Sequence, residues 1–189
     1  RDVGFTNTGL IVGSGTVDVG NATLTNQGTI APGSLGSTGA LRISGHLDLA
    51  STGTLAIDIG GAAAGTQYDT LTVSGSAVLN GALQSATIGG FTAAVSQNFD
   101  ILSASGSLSG SFATSNLPAG YNGAIVVGSP HLYRLTNTGV TCPANTLCWD
   151  GGGGADTSWG NANNWNSPNN DQIPGATGYT NLSASIGLV

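Results

Sequence analysis

Apolar and polar residues alternate in short runs along the first two-thirds of the chain. Val17 and Val19 flank Asp18, Leu41 and Ile43 flank Arg42, and Leu47 and Leu49 flank Asp48, with His46 on the outward side. Leu55, Ile57 and Ile59 enclose Ala56 and Asp58. Leu71 and Val73 flank Thr72, and Tyr133 and Leu135 flank Arg134. A period of two sends alternate side chains to opposite faces of a strand. The charged residues in these runs all fall on the outward set, which supports one common register. Turn residues separate the runs: Gly13-Ser14-Gly15, Gly20-Asn21, Asn26-Gln27-Gly28, Pro32-Gly33, Ser44-Gly45, Thr52-Gly53, Ser74-Gly75 and Asn80-Gly81. Asn80-Gly81 reads as a two-residue hairpin turn. Ala124 to Val127 is a continuous apolar run, the pattern of a strand buried on both faces.

Short strands with turns every few residues predict an all-β fold. Two architectures fit. One is a parallel β-solenoid (β-helix) with coils of about 20 residues. The alternative is an antiparallel β-sandwich or barrel. The pattern changes at Val140, so the chain divides into a β-solenoid domain at 1–139 and a Cys/Trp/Asn-rich module at 140–189. That module holds Cys142 and Cys148 and all three tryptophans, Trp149, Trp159 and Trp165. It ends in a second alternating run, Leu182, Ala184, Ile186 and Leu188. Terminal residues fray unless something holds them, so this strand is expected to take a partner.

Composition narrows the classes. Only 6% of the 189 residues are charged, against about 25% in an ordinary domain. There is no Lys, Glu or Met, and 32 residues are Gly. Three arginines cannot neutralise a run of phosphates, so nucleic acid is excluded as a partner. Helical bundles need the Lys, Glu and Arg that cover exposed helix faces. A hydrophobic content of 39% excludes a charge-swollen disordered chain. No apolar run reaches the length of a membrane-spanning helix. The chain opens at Arg1 without Met or a signal peptide, the mark of a processed product or a fragment.

Cys142 and Cys148 are close enough for a short-loop disulfide, which points to an oxidising exterior. In the chain-entropy picture such a bond contributes about 2–3 kcal/mol. The three tryptophans read as the core of the module, with a glycan platform as the alternative. Asp150, Asp156 and Asp171 offer hard oxygen ligands for calcium, but their spacing fits neither an EF-hand loop nor a Gly-Gly-x-Gly-x-Asp repeat, so no metal is expected. Asp48 and Asp58 point outward and are the carboxylates that a polysaccharide-cleaving enzyme would need to bring together. Solubility is the simpler role for them. His46 and His131 read as structural, and no Gly-x-Ser-x-Gly elbow is present. No cofactor and no enzymatic activity are expected.

Two longer stretches carry a family resemblance. The first runs from Tyr68-Asp69-Thr70-Leu71 through Asn80-Gly81 to Phe99-Asp100-Ile101-Leu102 and Gly110-Ser111-Phe112. It resembles the late part of autotransporter-type passenger regions, which are secreted bacterial β-helical surface proteins. The second, Cys148-Trp149-Asp150 through Trp159 to Asn164-Trp165, resembles the element that opens a new β-helical unit in them. The resemblance implies an extracellular or cell-surface structural or adhesive protein and carries over no catalytic residue.

The segment Asp2–Val12, which carries no charged or proline-rich cap, and the apolar last strand together predict a self-associating subunit. The expected product is a surface filament or fibre formed by strand addition between subunits. The alternative is a fragment of a large secreted β-helical adhesin that binds a glycan or host surface. A weaker alternative is a polysaccharide-acting β-helix enzyme.

Overall fold

The computed structural model describes residues 3–139 and the backbone of three short strands at 146–149, 165–166 and 183–185. Among the described residues there is no helix, and so none long and apolar enough to cross a membrane. The chain forms two compact units, Arg1–Thr138 and Gly139–Val189.

The first unit is a parallel β-solenoid of about four turns. Its first coil holds β1 (Phe5–Asn7), β2 (Leu10–Gly13) and the start of β3 (Gly15–Asn26). The second coil takes the end of β3, then β4 (Thr29–Pro32) and the start of β5 (Ala40–Leu49). The end of β5, β6 (Thr54–Ile59) and β7 (Thr70–Val73) make the third. The fourth is β8 (Ala77–Leu79), β9 (Ala82–Thr87) and β10 (Asn98–Ala104). β11 (Leu108–Gly110) and β12 (Thr114–Asn116) begin a fifth. Every strand ladder between successive coils is parallel, which decides against the sandwich.

Stacking places like on like. Phe5, Leu24, Leu47, Ala77 and Leu108 form one inward column. Ile11, Ile30, Leu55 and Leu83 form a second, and Val17, Ile43, Val73 and Ala104 a third. The middle members are sealed: Leu24, Ile30, Ile43, Leu55 and Val73 are all fully buried. Each contributes about 1.5–3 kcal/mol relative to exposure. The alternation places Asp18, Arg42, Asp48 and Thr72 outside the core, whereas Ala56 is buried beside Leu55 and Ile57.

Coils of about 20 residues hold only at the start. The step grows from 19 residues between Phe5 and Leu24 to 31 between Ala77 and Leu108. The growth lies mainly in one corner, where the connection lengthens from a single residue at Ser14 to 33–39, 60–69 and 88–97. Another corner stays tight because glycine sits there. A Cβ on Gly28 would strike the Gly9 carbonyl oxygen, and one on Gly81 would strike that of Gly53. Gly81 also has a φ of 60°, in the left-handed region. Asn80-Gly81 is therefore a solenoid corner and not a hairpin turn: β8 and β9 lie in different sheets.

At the far end an antiparallel ribbon closes the edge of β10. β13 (Tyr121–Val126) pairs with β14 (His131–Asn137), which pairs with β10 and reverses the chain direction. Arg134 grips Asp100 through Nε to Oδ1 at 2.6 Å and Nη2 to Oδ2 at 3.1 Å. Phe99, fully buried, meets Tyr68, Phe91 and Tyr121. The run Ala124–Val127 differs from its expected two-sided burial. Ala124 is exposed and Val127 is 81% exposed, because β13 is the outermost strand and β14 is its sole neighbour.

In the second unit, β15 (Thr146–Trp149) is the centre of a three-stranded sheet. β16 (Trp165–Asn166) pairs with it antiparallel, and β17 (Ser183–Ser185) pairs with it in parallel.

Candidate functional site

The two ends of the solenoid differ. At one end the ribbon of β13 and β14 covers the edge of β10, while β11 and β12 pair with β8 and β9; at the other, among the described residues, no strand pairs with the outer edges of the first coil. β1 and β2 are the terminal strands of their sheets, so each has one edge of backbone groups without a strand partner. Gly15–Asp18 of β3 pairs with β5 on one side only. The column residues are exposed to match. Phe5 is 48% exposed although it occupies the position at which Leu24 is completely buried. Leu10 is 53% exposed, and Val3 and Val12 are also exposed. A Phe left half in water forgoes on the order of 1 kcal/mol of burial. The edge carries no lysine, no proline and no bulge of the kind that discourages strand addition.

A polar ladder runs beneath this edge. Asn7 Nδ2 donates to Asn26 Oδ1 at 2.7 Å, and Asn26 Nδ2 donates to Thr54 O at 3.2 Å in the next coil. Both asparagines are buried. Each also bonds the backbone at its own corner, Asn7 through the Gly9 carbonyl and Asn26 through that of Gly28. Sequence reasoning passed over them, although the recurrence of Phe5-Thr6-Asn7 as Leu24-Thr25-Asn26 was there to be read.

A second polar feature lies at the lengthening corner. Asp69 is fully buried. Its Oδ1 accepts from Gly39 N–H at 2.7 Å and its Oδ2 from Asp58 N–H at 2.8 Å. Burial pushes its carboxyl up to about 7, against the two N–H bonds and with help from the nearby Asp58 carboxylate. Asp58 Oδ2 itself accepts from Gly36 N–H at 2.6 Å. An open groove of about 340 Å³ lies alongside, lined by Gly36, Thr38, Gly60, Thr66, Gln67, Ile88 and Gly89.

The other residues singled out in the sequence scatter. Asp48 and Asp58 sit on one coil but in different sheets, β5 and β6, and form no carboxylate pair of neighbouring coils. His46 Nδ1 accepts from Ser76 N–H at 3.0 Å and so fastens one coil to the next. His131 opens β14, half-buried. Cys148 and Trp149 lie in β15, and Trp149 is opposite Trp165. Ala184 lies in β17, opposite Leu147. Cys142, Trp159, Asp150, Asp156, Asp171, Leu182, Ile186 and Leu188 lie outside the described residues. Among the described residues no group of three or more His, Cys, Asp or Glu could hold a metal.

No known protein family and no curated protein matches the chain.

Proposed function

We propose that this chain is an extracellular structural protein whose copies join into a surface filament or fibre by strand addition. The observation that carries the reading is the open first coil. Its apolar column stands in register with the core beneath, and among the described residues its strands β1 and β2 have one edge each without a strand partner. Head-to-tail contacts that do not close on themselves extend into a filament. The donor is the last run, 180–189, in which Leu182, Ala184, Ile186 and Leu188 alternate with polar residues or glycine. β17 within it has β15 on one side and no strand partner on the other among the described residues. A disulfide between Cys142 and Cys148 and a cell-surface location belong to the same reading, as does the resemblance to autotransporter-type passengers.

The test is deletion of 180–189 followed by electron microscopy. Loss of filaments with the solenoid still folded supports strand addition, and unchanged filaments contradict it.

The same open column also suits a preceding coil of one longer chain, as in a β-helical adhesin that binds a glycan or host surface. That reading predicts a species near 18.5 kDa in solution for the 189 residues. It also predicts retention on a glycan or host-cell surface.

A further inference from the structure

The open strand carries a register mark, and the chain holds a segment that matches it. Phe5-Thr6-Asn7 lies residue for residue against Leu24-Thr25-Asn26. Asn7 is only 6% exposed on a rung otherwise open to water. Among the described residues its Oδ1 accepts one bond, from Gly9 N–H at 3.1 Å, and an amide oxygen has room for two. The order glycine, aromatic, threonine, asparagine occurs in the open strand as Gly4-Phe5-Thr6-Asn7. It occurs again as Gly178-Tyr179-Thr180-Asn181, outside the described residues.

We infer that the open edge of one copy receives 178–181 of a second copy in parallel, with Asn181 opposite Asn7 and Tyr179 over Phe5. The inference rests on the filament reading and names the partner of that edge. In this register the Asn181 amide meets Asn7 Oδ1 as Asn7 meets Asn26, and the Tyr179 ring covers the half-exposed Phe5. A slip of one residue turns Tyr179 and Asn181 away from the column and brings Thr180 and Leu182 onto it, a register that the Asn181→Leu variant would leave intact. A slip of two keeps the faces but breaks the asparagine ladder, so the ladder selects among the slips that hydrophobicity tolerates. Leu135-Thr136-Asn137 carries a similar triad but is not free to donate. Its strand is held on both sides by β10 and β13, and Asn137 Nδ2 is committed to Ala93 O and Ala94 O.

The experiment compares the full chain with its Asn181→Leu variant by sedimentation velocity, with circular dichroism to show equal strand content. The variant is expected to need at least about tenfold more protein for half-maximal assembly, as loss of a buried hydrogen bond implies. In a second arm, a free peptide of 175–189 is expected to stop filament growth, and the same peptide with Asn181→Leu is not. If the variant assembles like the parent, or if both peptides inhibit equally, the asparagine register is overturned and the filament reading stands. A parent chain that stays single at every concentration overturns the filament reading itself, and this inference with it.

Discussion

Asp69 ties the third coil to the second through Gly39 and to its own coil through Asp58. Its carboxyl is raised from 3.8 to about 7, so between those values the folded chain holds a proton that the unfolded chain releases. Stability therefore falls as pH rises through that window, by up to ~1.4 kcal/mol per pH unit. Urea titrations at pH 4, 5.5, 7 and 8 should show the decline, and Asp69→Asn should flatten it. Asn supplies one acceptor where two N–H groups ask for one each. The variant is expected to be less stable by about 1–3 kcal/mol at pH 5, with the gap narrowing toward pH 8. Gly28 poses a steric question. Its Cβ would strike the Gly9 carbonyl oxygen, so Gly28→Ala is expected to cost about 1–3 kcal/mol, read from the urea midpoint. Alternation made Leu47, Asp48 and Leu49 readable because a strand needs only its own neighbours to set inside from outside. Asn26 was not readable in that way, because its bonds go to Asn7 and Thr54 on other coils.

Elements were legible where one coil repeats the chemistry of the last, and misleading where a different element uses the same residues. Asn80-Gly81 has the composition of a hairpin turn, yet a solenoid corner asks for the same left-handed glycine. The run Ala124–Val127 is apolar enough for a core, but its strand is the outermost of the closing ribbon. Leu135, one strand inward, is completely buried. Leu135→Ala is expected to cost about 2–5 kcal/mol, and Val127→Ala to stay within about 0.5 kcal/mol of the parent. Thermal unfolding of the two variants separates them. The coil repeat itself was obscured by the corner that lengthens from Ser14 to 60–69 and 88–97. Tyr68, Asp69 and Ala93 in those connections are buried, whereas Ala62, Ala63 and Ala64 at the tip of 60–69 are exposed. Removing three residues from 61–64 is expected to change stability by less than ~1 kcal/mol, since loop-closure entropy varies slowly with length.

The first unit is a stack of coils whose first coil presents the strands β1 and β2 at the ends of their sheets. A chain with 6% charged residues has few means of refusing an incoming strand, and the open coil shows where that matters. Leu10 and Val12 lie on the terminal strand of their sheet and are about half exposed. Lysine at Leu10 is expected to suppress assembly without loss of strand content, because a charge at a sheet edge penalises pairing. The open edge could be foreseen from the missing cap, whereas the closing ribbon could not, since β14 reaches back to β10 across more than 30 residues. Sedimentation velocity of the full chain over a wide concentration range tests the central claim most directly. The account predicts species that grow with concentration far beyond a single chain, and a single species near 18.5 kDa at every concentration would contradict it.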